Sequence, residues 1–142
     1  MVKTNMRSKN ILVSFLTIVS VLCLAVVVSA QDYSIDAVRI DGVDITASKA
    51  SMVAGESATV KVYFTSSVTD SDVKVKVSIE GEKADSDSRS ETFNVESGQS
   101  YRKALSIKAP NDLKDDLSDD ITLTVEIDGK NSKVEKEYTL RV

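Results

Sequence analysis

From Asp72 to Glu82 the chain reads DVKVKVSIEGE, with Val73, Val75, Val77 and Ile79 alternating with Lys74, Lys76, Ser78 and Glu80. A period of two sends the first set to one side of a sheet and the second into water, so the segment predicts a strand covered on one face only. The same alternation recurs at Val60, Val62 and Phe64, at Phe93 and Val95, and at Leu105 and Ile107 after Tyr101. It returns at Ile121, Leu123, Val125 and Ile127 and at Tyr138, Leu140 and Val142, and Val38 and Ile40 in VRI supply an opening strand. Helical spacing fits none of these runs better, and β-branched residues dominate the inward positions. The pattern predicts about seven strands between residues 31 and 142. By the same parity Tyr63 and Tyr33 project outward.

The connections carry turn chemistry. IDGK, Ile127 to Lys130, puts Asp-Gly between two alternating runs, which predicts that the last two strands pair and that the glycine takes a positive φ. Gly55 before Glu56-Ser57 is echoed by Gly98 before Gln99-Ser100, each just ahead of a new strand. A reactive site is seldom built twice without a shared reactive group, so VAGESATVKVYF is read as a strand-starting turn, with Gly55 supplying backbone geometry. The lone proline, in KAPND, should end the strand holding Leu105 and Ile107 because it has no N–H to give. EGEKADSDSRSE, Glu80 to Glu91, reads as a long polar loop across the molecule. Short strands, one-sided alternation and regular turns imply an all-β fold of two antiparallel sheets, of which the immunoglobulin-like sandwich is the commonest solution at this length.

Ahead of the strands, residues 1–30 place Lys3, Arg7 and Lys9 before an apolar run and small residues at Val28 and Ala30. This is the pattern of a secretory signal cut between Ala30 and Gln31. The run from Ile11 to Ala30 is also long enough to span a bilayer as an uncleaved anchor helix. Both readings put residues 31–142, one domain, outside the cytoplasm, since the basic flank stays inside. Cys23 lies within the run as a small hydrophobe, with Leu22 before it and LAVVVSA after it, which is not a lipid-attachment setting.

Composition narrows the chemistry. With the leader's three cations set aside, 15 of the 18 Lys and Arg remain against all 22 Asp and Glu, a net charge of −7 that repels nucleic acid. There is no His and no Trp, and the one Cys is in the leader, so nucleophile–base pairs, disulfides and transition-metal ligands are missing. Paired carboxylates alone would need an aromatic-lined cleft that six aromatics beyond the leader, about half of them core, cannot supply. A non-enzyme is expected. NDLKDDLSDD gathers hard oxygen ligands, so a Ca²⁺ site would use Asp115, Asp116, Asp119 and Asp120, although a solvated acidic loop accounts for the same residues. No Asn-X-Ser/Thr sequon occurs, which argues against a heavily N-glycosylated coat subunit.

The order VAGESATVKVYF, an alternating strand, FNVESGQSYRKALSI, ITLTVEIDGK and a closing strand resembles the CARDB-type and related immunoglobulin-like domains of prokaryotic cell-surface proteins. It is similar in particular to the domain that follows the signal peptide in archaeal S-layer proteins. The chain departs from them in having TSSVTDSD where an Asn-Thr-Gly-like turn is common and Ile121 where a tyrosine is common, and it lacks the antibody Cys, Trp, Cys core. The resemblance implies a surface module making structural or adhesive contacts with other envelope proteins. Two alternatives stand beside it: a Ca²⁺- or glycan-binding sandwich, with Tyr63 as the outward aromatic, and an anchored extracytoplasmic subunit of a larger assembly that touches the membrane only through residues 11–30.

Overall fold

The computed structural model describes residues 31–80, 85–111 and 120–142. Gln31–Val142 form one compact unit. In chain order the strands are β1 (Tyr33–Ile40), β2 (Val43–Asp44), β3 (Ser57–Ser66), β4 (Asp70–Glu80), β5 (Ser86–Arg89), β6 (Phe93–Val95), β7 (Ser100–Lys108), β8 (Asp120–Asp128) and β9 (Lys133–Arg141). They build two antiparallel sheets, ordered β2-β1-β3-β7 and β5-β4-β8-β9, with β6 also pairing on β4. No helix occurs among the described residues. The molecule is a β-sandwich whose core is a single cluster fed by both sheets.

That core is the set of alternating residues. Val38, Ile40, Val60, Val62, Phe64, Leu105 and Ile107 face inward from the first sheet, and Val73, Val75, Val77, Ile79, Leu123, Val125, Ile127 and Leu140 from the second, all buried. Phe64 is the hub of an aromatic group that joins the sheets. Its ring centroid lies 6.2 Å from Tyr33 edge-on, 5.5 Å from Tyr101 stacked and 6.3 Å from Phe93 on β6.

All seven expected strands are present, and two more join them. β2 is a two-residue hairpin return on β1. β5 occupies part of the segment read as a polar loop: Ser86–Arg89 pairs with Lys76–Ile79 of β4. SDSR has no apolar residue to alternate; its partner strand, not its own pattern, holds it extended at the sheet edge. Glu80 closes β4, and residues 81–84 lie outside the described residues.

Gly55 and Gly98 behave alike because their strands are neighbours. Each is the third residue of a four-residue turn, with φ of 76° and 81°, closed by Glu56 N donating to Val53 O and by Gln99 N to Glu96 O. A positive φ at that position is what a type II turn demands. β3 and β7 are antiparallel, so a local two-fold axis relates the turns: Gly55 N donates to Ala109 O as Gly98 N donates to Ser66 O. Ala109 N and Ser66 N return bonds to Glu56 O and Gln99 O. β7 ends at Lys108, and Pro110 stands two residues further on, past Ala109, where its missing N–H removes no ladder bond.

The hairpin between β8 and β9 forms where expected, with Asp128 paired to Lys133. Its loop is longer than a two-residue turn, and Gly129 is not among the residues of positive φ. Glycine is needed there for a different reason: a Cβ at 129 would collide with Tyr33 Oη and with the Asp70 carboxylate.

Parity fails at two bulges. In β1 the register shifts between Ile35 and Ala37, which pair with Phe64 and Tyr63, so Asp36 is an extra residue. Counting by twos back from Val38 therefore places Tyr33 on the wrong side; it is fully buried, not outward. In β4 the shift between Asp70 and Val73 coincides with Asp72 at φ 55°, and it turns Asp70 inward.

Candidate functional site

Among the described residues Asp70 is the one charged side chain that is buried. Each carboxylate oxygen takes two hydrogen bonds. Tyr33 Oη donates to Oδ2 at 2.6 Å and Asn131 N at 3.2 Å, while Ser71 N donates to Oδ1 at 2.9 Å and Asn131 Nδ2 at 3.0 Å. The tyrosine bond, supported by those from Ser71 and Asn131, holds the carboxyl below its ordinary range against the opposing effect of burial. Tyr33 is pushed well above its ordinary value, first by burial, then by its bond to Asp70 and that group's charge. With its acceptor positions filled, the carboxylate has nothing left to offer a substrate. It ties the start of β1, the start of β4 and the β8–β9 loop together at one pole, and Ser67 fixes the chain entry there through Gln31 O and Asp32 O.

Of the four aspartates singled out for Ca²⁺, only Asp120 is described; Asp115, Asp116 and Asp119 lie outside the described residues, as do residues 1–30 with Cys23 and Ala30. Asp120 opens β8 and accepts a bond from Lys49 Nζ at 2.7 Å, which with the charges of Lys49 and Arg141 lowers its pKa against desolvation. A cation there would have to displace Lys49. Among the described residues no three acidic, His or Cys side chains group closely enough to hold a metal.

Among the described residues an open groove lies on the outward face of the first sheet. Its volume is about 370 Å³, and Asp36, Arg39, Tyr63, Ser100 and Arg102 contribute its chemistry. Register explains the arrangement. Tyr63 on β3 sits opposite Arg102 on β7 and Ala37 on β1. The small Ala37 leaves a depression beside the ring. Arg39 lies one outward position further along β1, and its guanidinium carbon is 5.2 Å from the Tyr63 ring centroid. On the other side of the ring runs a polar row. Ser100 Oγ and Thr65 Oγ1 are 2.9 Å apart, and Thr65 Oγ1 donates to the Asp36 carboxylate at 2.7 Å.

Parity in the sequence already put Tyr63 outward. Arg39, Arg102, Ser100 and Asp36 were not singled out, because which strands adjoin β3, and in what register, is not written in any one segment. The bulge that buries Tyr33 also re-aims Asp36 toward the groove.

These features define a β-sandwich domain with a polar-aromatic face on one sheet. No family model and no curated protein matches the sequence. Among solved structures the domain is similar to the C-terminal domain of Wzt, with 13% identity over 79% of this chain and 72% of that one and a TM-score of 0.52, a likeness of fold alone. It also matches Spo0M, a sporulation control protein from Bacillus subtilis, at 10% identity and a TM-score of 0.43 over 75% of this chain and half of that one.

Proposed function

We propose that residues 31–142 are the folded part of an exported, non-catalytic surface module, an immunoglobulin-like domain that makes structural or adhesive contacts in the cell envelope. The strand order supports the fold assignment. On this reading β1, β3 and β7 correspond to strands A, B and E, and β4, β8 and β9 to C, F and G, of a Greek-key sandwich, and the neighbour order within each sheet is consistent with it. The leader pattern of residues 1–30 supports export.

The observation that carries a binding role is the Tyr63 groove. A tyrosine ring flanked by two arginines joins the residue types that dominate binding energy at interfaces, on a face that the core does not use. Asp70, by contrast, is fully occupied in holding the sandwich together.

Protease treatment of intact cells carrying a C-terminally tagged chain tests the reading. The domain should be degraded from outside without lysis, and Tyr63→Ala with Arg102→Ala should shift it from the envelope fraction into the medium or the free pool. Protection until lysis, or fractionation indifferent to the double substitution, refutes it.

A further inference from the structure

The proposed surface role leaves open what the groove receives. We infer that it takes a carboxylate-bearing sugar of an acidic polysaccharide. The inference rests on the surface-module reading only for where such a polymer is met.

Three rows of side chains across β1, β3 and β7 carry it. The middle row is Ala37, Tyr63 and Arg102, an aromatic platform between a depression and a guanidinium. The row on one side is Asp36, Thr65 and Ser100, linked by hydrogen bonds and able both to donate and to accept. On the other side Arg39 pairs with Lys61. Around the ring, Arg39, Lys61 and Arg102 stand against two carboxylates, Asp36 and the Asp44 that pairs with Arg39 at 4.0 Å, so the balance is still positive although the chain beyond the leader is strongly acidic. A local positive field within a negative molecule attracts anions to this place and not to the surface at large.

Guanidinium groups pair with carboxylate in a planar, two-bond geometry. A peptide carboxylate or a phosphate would use the arginines equally well, but it brings no row of hydroxyls for Asp36 and Ser100, so less offsets the repulsion between its charge and Asp36. A sugar acid uses both kinds of group: its carboxylate goes to the arginines, its hydroxyls to Asp36 and Ser100, and its apolar ring face to Tyr63. The groove's volume sits near the lower end of the ~300–1,000 Å³ usual for small-ligand sites, which suits one or two sugar rings. The groove is open to solvent rather than enclosed, so a polymer need not end inside it.

The test is titration of the full chain with tri-galacturonate, followed by calorimetry and by amide shifts in NMR, beside galactotriose and tri-glutamate. Tri-galacturonate should bind at least about tenfold tighter than either comparison probe. Arg102→Gln and Tyr63→Ala should each weaken it by about tenfold or more, at unchanged melting temperature. Asp36→Ala is the sharper variant, since it should weaken tri-galacturonate while strengthening tri-glutamate. Equal binding of tri-glutamate makes this an acidic-peptide site and overturns the inference. So does equal binding of galactotriose, binding indifferent to all three substitutions, or no binding by the folded chain. None of those results alters whether protease reaches the domain from outside the cell, so the surface-module reading stands or falls separately.

Discussion

Tyr33→Phe removes one oxygen and leaves the ring in place. The phenyl group can keep the edge-on contact with Phe64, so the change isolates the hydroxyl's bond to Asp70. A hydrogen bond to a charged group contributes about 1.5–3 kcal/mol, and the loss here leaves a buried carboxylate one donor short, so about 2 kcal/mol is expected at pH 7. For a domain of this size that lowers Tm by about 8 °C. The penalty must depend on pH. Asp70's folded pKa is depressed, so its ionisation stabilises the fold above the unfolded value of about 3.9 and ceases to do so as pH falls through the folded value. The tyrosine bond is the largest cause of that depression, so the variant's deficit should be full at pH 7 and shrink below about pH 4. At the alkaline end Tyr33's raised pKa means that the wild type loses stability above about pH 10, and the variant should lose less. Thermal melts by circular dichroism at pH 7, 3 and 10.5 measure all of this. A deficit at pH 7 below about 0.5 kcal/mol, or one that is the same at pH 3, refutes the assignment of Asp70 as an ionised tie between the sheets.

Gly129→Ala should cost about 1–3 kcal/mol by pushing on Tyr33 Oη and Asp70, and the cost should fall in a Tyr33→Phe background, giving a coupling in a double-mutant cycle by thermal melting. Val75→Asp places a carboxylate in the core and should cost about 3 kcal/mol or more, whereas Lys74→Asp on the wet face should change stability by about half a kcal/mol in the same melts. Lys136 stands at an inward position on the edge strand β9, with its ammonium 5.6 Å from the Tyr138 ring. An inward charge on an edge discourages strand addition, so Lys136→Val should produce concentration-dependent self-association in sedimentation velocity, with the monomer's secondary structure unchanged.

What the sequence revealed and what it hid divide along a physical line. Wherever a strand has one wet and one dry face, alternation marks it, and β1, β3, β4, β6, β7, β8 and β9 were all legible in that way. β5 was not, since Ser86–Arg89 is extended only because β4 pairs with it. Tyr33 and Asp70, the pair that ties the sheets, were hidden by bulges that interrupt the period on β1 and β4. Gly129 was located correctly and explained wrongly, because the crowding by Tyr33 and Asp70 comes from residues far off in the chain. The groove was legible only as Tyr63. Its other members reach the ring from two neighbouring strands, and strand order is a property of the whole fold.

The bulge in β1 connects the tie and the groove, and it allows a test that depends on neither's chemistry. Pairing runs from Ile35 with Phe64 directly to Ala37 with Tyr63, so Asp36 has no cross-strand partner of its own. Take it out, and Tyr33, Ser34, Ile35, Ala37 and Val38 alternate in and out without a break, each already opposite the residue it needs. Deleting Asp36 from the middle of a strand should therefore cost only about 1 kcal/mol, the local bend and an exposed bond from Thr65, with Tyr33 still buried against Asp70. Deleting Lys61 from β3, where pairing is continuous on both sides, has no such escape. It reverses every side chain on one side of the cut and should leave the chain unfolded. Chemical denaturation of the two deletion variants decides the matter. If losing Asp36 is as damaging as losing Lys61, the bulge is part of the framework. If it is nearly silent for stability, the extra residue is carried for the groove it points into, because the sandwich does not need it.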